Sequence, residues 1–148
     1  MRISEDSPWS RHEVDDHLDA FIAPLRLTAV DSQGFPRIAS LWFRRNGDRL
    51  LCATQADAWI ARAFERDPRC GFELAPNEPP YFGVRGIGRA KVGREGGADE
   101  LGRLIDRYLG SRETPLAKWL LSRAENEVLI TIDVEQVSAW DYRARMSP

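Results

Sequence analysis

The sequence predicts a mainly β domain with flanking helices, of the α+β class, built on a small antiparallel barrel of about six strands. Two observations favour this class. Short apolar stretches alternate with turn signals, and helical patterns lie between and around them. The first three extended stretches are joined by connections too short for a crossover helix, so neighbouring strands must be antiparallel. A chain of 148 residues, 43% hydrophobic, fits a single domain over 1–148.

Four helices are indicated by their caps and by the spacing of apolar residues. Ser10 and Glu13 form a capping box at the start of the first helix. Thr114 and Pro115 place a cap and a first-turn proline at the start of the fourth. The predicted helices span 10–23, 57–67, 98–109 and 115–124.

The strands between these helices are bounded by turn residues. Asn46-Gly47 predicts a tight hairpin turn with both residues at its centre. Gly83, Gly86 and Gly88, all within one strand, predict close backbone approach or a bulge. The barrel is expected over 25–140, with strands at 25–30, 37–44, 50–54, 70–74, 81–92 and 128–140.

Charge is distributed unevenly along the chain. The net charge is −2, and 19 of the 21 basic residues are arginine. Between Arg37 and Arg94 there are eleven basic and six acidic residues, a local charge of +5, which leaves −7 for the remainder. A basic middle in an acidic chain indicates an anionic ligand rather than nucleic acid, although scattered solvated arginines give the same count.

The two cysteines and the lengths of the apolar runs indicate the cellular compartment of the protein. Cys52 and Cys70 form neither a disulfide framework nor a Cys-x-x-Cys pair. The N-terminal residues lack the apolar core of a signal peptide, and no apolar run approaches the roughly 20 residues that span a bilayer. We therefore expect a soluble, cytoplasmic protein that contacts no membrane.

Several kinds of site are disfavoured. His12 and His17, the only histidines, lie about 140° apart around the first helix, which does not suit a metal. Neither cysteine has a histidine nearby in sequence to activate it. The three strand glycines lack the spacing and the following helix of a phosphate loop. We expect no metal, and the sequence identifies no catalytic side chain.

The junction at 54–62, where a strand ends and a helix begins, is a candidate anion site. Free backbone N–H groups, the Thr54 hydroxyl and Arg62 would together hold a phosphate. Trp42 and Trp59 lie nearby in sequence and would contact a planar ligand. An ordinary strand-to-helix turn with tryptophans in the core has the same pattern, so the residues alone leave both interpretations open.

Seven short fragments occur in a specific order between residues 28 and 142. They are Thr28-Ala29-Val30-Asp31 with Gly34 and Pro36, Leu41-Trp42-Phe43, Ala53-Thr54, Arg66-Asp67-Pro68-Arg69, Pro79-Pro80-Tyr81, Gly86-Ile87-Gly88-Arg89-Ala90 and Trp140-Asp141-Tyr142. In this order and spacing they resemble the pyridoxamine 5′-phosphate oxidase-like family of FMN-binding split barrels. The likeness covers nearly the whole chain.

The resemblance implies a six-stranded antiparallel split β-barrel of Greek-key type. It also implies a homodimer that holds FMN or a deazaflavin at the subunit interface and acts on a small-molecule substrate. Residues 37–42 would face the isoalloxazine ring, Thr54 would help to hold the phosphate, and Trp140 would approach from the partner chain. The expected cofactor-binding residues are Arg37, Ser40, Leu41, Trp42, Thr54, Trp59, Arg62 and Trp140.

The chain departs from the family pattern at the start of the second helix. Family members usually carry a Ser-Arg-Lys-like triplet there, whereas this chain has Ala58, Trp59 and Ile60. Each charge-assisted contact is worth about 1.5–3 kcal/mol, so the loss weakens phosphate binding by powers of ten. Arg62 or Arg37 would offset part of that loss.

Two functional hypotheses follow from this departure. The first is a flavin- or deazaflavin-dependent oxidoreductase in which the cofactor transfers a hydride to a small substrate. The second is a barrel homologue with a degenerate phosphate site, which acts as a non-flavin ligand-binding or regulatory protein.

Overall fold

The computed structural model describes residues 1–146; the last two residues of the predicted domain, 147 and 148, lie outside the described residues. The helices are α1 Arg11–Ala20, α2 Trp59–Arg66, α3 Gly97–Leu109, α4 Pro115–Leu121 and α5 Arg143–Met146, with a 3₁₀ turn at Ala124–Asn126. The strands are β1 Arg2–Ile3, β2 Leu25–Val30, β3 Pro36–Leu41, β4 Arg44–Asn46, β5 Arg49–Gln55, β6 Arg69–Leu74, β7 Phe82–Gly93 and β8 Glu127–Asp141. None of the helices in this part of the chain has the length and apolarity to cross a membrane.

All eight strands belong to one sheet. Its order is β3-β2-β6-β7-β8-β5-β4, with β1 paired separately to β8. Every pairing is antiparallel apart from that of β1 with β8. The mainly antiparallel class with flanking helices is confirmed, but the described chain has eight strands where about six are predicted. The additional β1 and β4 have two and three residues, too few to give a periodic pattern.

The segment predicted as one strand over 37–44 is broken in the structure. β3 ends at Leu41, and β4 begins only at Arg44. Between them Phe43 is fully buried, and its backbone N–H donates to Tyr108 Oη at 3.2 Å. The chain therefore leaves the β2–β3 hairpin at this point and crosses to the other end of the sheet, where β4 and β5 lie.

The hairpin turn lies one residue later than predicted. Asn46 pairs with Arg49 as the last pair of β4 and β5, so Gly47 and Asp48 form the turn. Gly47 has a φ of 60°, and within residues 1–146 no residue other than glycine has a positive φ. Gly47 therefore supplies the left-handed conformation of the turn, and Asn46 is the last paired residue of β4.

The path of the sheet is open. β3 and β4 are its two ends, and among the described residues no ladder joins β3 to β5, although these strands are in contact. β7 and β8, with 12 and 15 residues, form the long centre of the sheet. β3 and β5 therefore approach each other without backbone hydrogen bonds, and a gap lies between them.

The glycines of β7 permit close packing against its neighbours. A Cβ on Gly86 would lie 2.4 Å from Phe72 Cζ, and one on Gly88 would lie 2.6 Å from the Asp133 carbonyl oxygen. The register of β7 and β8 shifts between Ile87 and Gly88. Both parts of the prediction, close approach and a bulge, are confirmed.

Two clusters of buried side chains hold the molecule together. The larger lies inside the sheet, where Leu18 of α1 and Ile60 and Phe64 of α2 pack. The smaller lies beneath α3 and α4 and includes Leu101 and Ile105. The α3–α4 layer therefore covers β5 on the side opposite to the main core.

A buried ion pair fastens α3 to β4. Glu100 is only 2% exposed, and its two carboxylate oxygens accept hydrogen bonds from Arg44 Nε and Nη2 at 2.6 and 2.8 Å. Two parallel bonds of this kind fix both distance and orientation. They position the start of α3 over the sheet.

Candidate functional site

Two recesses lie along β3, one between the β2–β3 turn and α2 and the other at the gap between β3 and β5. The first, here called the cationic recess, has a volume of about 430 Å³ and is lined by Asp31, Ser32, Gln33, Arg37, Asp57, Trp59, Arg62 and Arg66. The second, the apolar recess, has a volume of about 350 Å³ and is lined by Ser40, Leu41, Trp42, Ala53, Thr54, Gln55, Leu101, Leu104, Leu116, Trp119, Leu120, Arg123 and Glu127.

β3 contributes to both recesses. Arg37 lies in the cationic recess and Ser40 in the apolar one, three residues apart, or about 10 Å along an extended strand. Leu41, which also lines the apolar recess, is on the same face of β3 as Arg37, so an elongated molecule lying along this strand would meet both recesses.

Three arginines line the cationic recess without a close acidic partner. Across residues 1–146, no carboxylate lies within 4.0 Å of the guanidinium of Arg37, Arg62 or Arg66. The Arg37 guanidinium instead lies 4.4 Å from the centre of the Trp59 ring, a cation–π contact. The lining holds these three guanidinium groups and the two carboxylates of Asp31 and Asp57, a formal charge of +1, which favours the binding of an anion.

Asp31 lines the cationic recess, but its carboxylate is hydrogen-bonded within its own turn. Its Oδ1 accepts hydrogen bonds from the backbone N–H groups of Gln33 and Phe35 at 2.9 and 3.0 Å. The bond from Phe35 is the main cause of a pKa below the usual range, to which the charges of Arg37 and Arg66 add. Asp31 thus fixes the loop that carries Arg37 into β3.

The three residues that replace the family triplet lie at the start of α2 and have different surroundings. Ala58 is the N-cap residue and makes no side-chain capping hydrogen bond. Trp59 forms a wall of the cationic recess, whereas Ile60 is 2% exposed and packs in the main core. The third position of the triplet therefore does not face the recess at all.

A flat aromatic wall lines the apolar recess. The Trp42 and Tyr108 rings are stacked, with centroids 5.0 Å apart and an interplanar angle of 9°. Tyr108 is anchored in turn, because its Oη donates to the Ala23 carbonyl at 2.9 Å and accepts from Phe43 N–H. Burial raises the pKa of Tyr108, so its phenol is neutral. Trp42 is therefore held rigidly at the edge of the recess.

A buried carboxyl group lies at the floor of the apolar recess. Glu127 is 7% exposed; its Oε1 accepts a hydrogen bond from Gln55 Nε2, while Oε2 has no hydrogen-bond partner among residues 1–146. Burial raises the pKa of Glu127, and the bond from Gln55 and the charge of Arg123 oppose that rise. The neutral acid is thereby favoured over the carboxylate relative to an exposed glutamate.

The predicted cofactor-binding residues fall into three places. Arg37, Trp59 and Arg62 line the cationic recess, and Ser40, Leu41, Trp42 and Thr54 line the apolar recess. Trp140 lines neither recess of its own chain; it pairs with Gly83 on the outer face of the sheet, 5.7 Å from the Arg85 guanidinium. Thr54 and Arg62, predicted as one anion site, are thus in different recesses.

Four polar or aromatic lining residues escape prediction from the sequence: Gln55, Trp119, Arg123 and Glu127. One signal for Glu127 is present, since this glutamate directly precedes the apolar residues Val128, Leu129 and Ile130 at the start of the strand. Its proximity to Gln55 depends on the β5–β8 register, which pairs these two residues across more than seventy positions of sequence. No local pattern reveals that pairing.

Both cysteines are unreactive in this fold. Cys52 and Cys70 are buried and free of any disulfide. Burial raises the pKa of Cys70 to about 12 and that of Cys52 further, so neither forms a thiolate near neutral pH. Within the described residues, no three histidine, cysteine or acidic side chains are grouped so as to hold a metal ion.

Comparison with known proteins gives structural but not sequence matches. No family model and no curated protein matches the chain. A conserved hypothetical protein, Rv2991, from Mycobacterium tuberculosis superposes over 100% of this chain and 94% of its own, with a TM-score of 0.77 and 23% identity.

Two further solved structures carry functional names. An F420 reductase matches 83% of this chain and 94% of its own, with a TM-score of 0.66 and 21% identity. A putative pyridoxamine 5′-phosphate oxidase from Listeria innocua matches 80% and 88%, with a TM-score of 0.59 and 18% identity. Likeness at this level of identity establishes fold. The resemblance seen in the sequence is therefore confirmed in that respect, and the chain has the split-barrel fold of the pyridoxamine 5′-phosphate oxidase-like proteins.

Proposed function

We propose that this protein is a flavin- or deazaflavin-binding oxidoreductase. The anionic tail of FMN or of a deazaflavin would lie in the cationic recess, and the ring system would lie against the apolar recess. The observation that carries the proposal is the set of three arginines, at 37, 62 and 66, without a carboxylate within 4.0 Å. The names of the similar structures, an F420 reductase and a putative pyridoxamine 5′-phosphate oxidase, support the same class of ligand.

The residues present fit such a ligand. Arg37 and Arg62 offer charged donors, and the uncapped start of α2 offers backbone N–H groups to the same recess. The stacked Trp42 ring and Leu41 offer a flat apolar surface. The cationic recess would therefore hold the phosphate of such a cofactor, and the flat apolar surface would contact its ring system.

In the proposed reaction, no side chain of the protein acts as an acid or a base. A bound flavin or deazaflavin supplies hydride transfer to or from a small substrate. The arginines bind and orient, the Thr54 hydroxyl offers a hydrogen bond, and Trp42 excludes water from the ring.

Substitution of single arginines tests the site. We expect the purified protein to bind FMN or a deazaflavin, with a flavin band at about 450 nm for FMN. Arg37→Ala and Arg62→Ala should each weaken binding about tenfold or more, because each removes a charge-assisted contact. Titration followed by absorbance or fluorescence measures the change.

Arg69→Ala serves as the matched control, because Arg69 is exposed and already paired with Asp67 at 2.6 Å. It should leave the affinity unchanged. A wild-type protein that binds neither cofactor at tens of micromolar contradicts the proposal and favours the second hypothesis, a barrel that binds a non-flavin ligand. The observation behind that alternative is local: Ala58 does not cap α2, and Ile60 is buried.

We propose further that the protein is a homodimer formed through the outer face of β2, β3, β6 and β7. Ile38 and Ile87 on this face are 66% and 53% exposed. Thr28 and Gly71 lie between them in register, so the four residues form one row across the sheet. Trp140 lies on the same face, which suits a residue that reaches the site of the partner chain.

Sedimentation velocity tests the dimer. Wild-type protein at micromolar concentration should sediment as a dimer, and Ile87→Asp should sediment as a monomer because it buries a carboxylate in the interface. Leu116→Asp is the control, since Leu116 is 47% exposed and belongs to α4, which packs on α3 over β5 and not over β2, β3, β6 or β7. A monomeric wild type contradicts the proposed interface.

A further inference from the structure

We infer that Arg123 makes the apolar recess bind the reduced, anionic form of a flavin ring more tightly than the oxidised, neutral form. The inference rests on the proposed function, because it concerns the recess that would hold the ring. It goes further in one respect: the bound cofactor accepts a hydride more readily than the free cofactor does.

The charge of a flavin ring changes when it accepts a hydride. The oxidised ring is neutral, and one hydride added at N5 gives an anion whose charge lies on N1 and the neighbouring carbonyl oxygen of the pyrimidine ring. The small substrate that donates this hydride is oxidised by two electrons. The phosphate of the tail has the same charge before and after. A cation beside the pyrimidine edge therefore distinguishes the two forms, whereas a cation beside the tail does not.

The first ground is that Arg123 is a cation with free donors in the apolar recess. It is exposed and is the one cation among the residues that line this recess in the described chain. Across residues 1–146, no carboxylate lies within 4.0 Å of its guanidinium. One of its five N–H donors is used there in a hydrogen bond, which leaves the others for a ligand. A guanidinium stays charged at any working pH.

The second ground is that Arg123 is oriented by two neutral groups. Its Nη2 donates to Gln55 Oε1 at 3.3 Å, and its guanidinium carbon lies 5.0 Å from the centre of the Trp119 ring. Gln55 Nε2 donates in turn to Glu127, so the amide oxygen is the end that faces Arg123. Gln55 thus stands between the guanidinium and the buried carboxyl group. The cation is held in place without a direct ionic partner.

The third ground is the uneven chemistry of the lining. Gln55 and Arg123 are bonded to each other and so form one polar part of it. Helices α3 and α4 supply an apolar part, made of the leucines at 101, 104, 116 and 120. A flavin ring is divided in the same way, since its pyrimidine edge carries carbonyl and N–H groups and its benzene edge carries methyl groups. Matching like with like brings the pyrimidine edge to Arg123.

Binding of FMN in its two redox states tests the inference. FMN reduced with dithionite under anaerobic conditions should bind to the wild-type protein about tenfold more tightly than oxidised FMN, or better, because only the anion gains a charge-assisted contact. Arg123→Gln keeps a polar side chain but removes the charge, and should lower this ratio of dissociation constants about tenfold. The midpoint potential of bound FMN, measured against a reference dye, should fall by the equivalent amount, about 30 mV.

Three further variants show whether the charge and its position are responsible. Arg123→Lys retains the cation and should retain most of the preference. Arg94→Gln removes the same charge from an exposed position that lines neither recess, and should leave the ratio unchanged. Arg62→Ala, at the tail, should weaken both redox states alike and so leave the ratio unchanged as well.

Equal affinities for the two forms in the wild type would overturn the inference. So would a preference that survives in folded Arg123→Gln, or one that Arg94→Gln lowers by the same amount. Circular dichroism shows whether each variant is folded, and if Arg123→Gln is not, the wild-type ratio and Arg123→Lys decide. FMN that binds without preference overturns this inference and leaves the proposed function intact, whereas FMN that binds in neither form overturns both.

Discussion

Replacing Arg44 with methionine is expected to lower the free energy of unfolding by about 3–5 kcal/mol. Methionine keeps most of the length of the side chain but removes both hydrogen bonds to Glu100, which is 2% exposed. A carboxylate would then be buried with only the guanidinium of Arg103, 3.5 Å away, as a partner. Urea unfolding with linear extrapolation measures the change.

Two further variants separate the ion pair from simple loss of packing. Arg103→Met removes the exposed partner of the same carboxylate, with Arg103 55% exposed, and should cost less than about 1 kcal/mol. The double variant Arg44→Met with Glu100→Leu should regain most of the loss, because no unpaired charge remains. An Arg44→Met variant as stable as Arg103→Met would contradict this account.

The second large effect is expected at Ile60, where the family pattern has a cation. Ile60→Lys should lower the free energy of unfolding by about 3 kcal/mol or more, because Ile60 is 2% exposed and packs in the main core. It should not improve FMN binding, since this position faces away from the cationic recess. Ile60→Met, which adds no charge, should cost less than about 1.5 kcal/mol.

Ala58→Ser is the complementary substitution. Ala58 occupies the N-cap of α2 in an extended conformation without a capping bond, so a serine hydroxyl would cap the helix. The expected gain is about 1 kcal/mol of stability. Thermal or urea unfolding measures the change in stability caused by Ala58→Ser and by Ile60→Lys. A stable Ile60→Lys with tightened FMN binding would show that this position turns towards the recess.

The class of the fold is predictable because its signals are local. The capping box at Ser10 and Glu13 is present with both of its reciprocal hydrogen bonds, and Thr114 accepts from the Ala117 backbone N–H as a cap should. The β2–β3 hairpin requires only a short connection and its alternating residues. Each of these features depends on residues within a few positions of one another.

The candidate site is only partly predictable because it is assembled from distant segments. The sequence places Thr54 and Arg62 in one anion site, since they are close along the chain. In the structure β5 ends at one recess and α2 contributes to the other. Tertiary packing also determines which way Ile60 faces. Its neighbours Trp59 and Arg62 line the cationic recess, whereas Ile60 packs in the main core.

The missing ladder between β3 and β5 has a mechanical consequence. β3 pairs with β2 alone and β5 pairs with β8 and β4, so no backbone hydrogen bond crosses the gap. The chain itself joins the two sides, because only Trp42 and Phe43 lie between β3 and β4, and Phe43 is fully buried. The opening beside Trp42 is therefore set by covalent connection and by packing, and a ligand that enters it loses less conformational entropy than one that must first order its site.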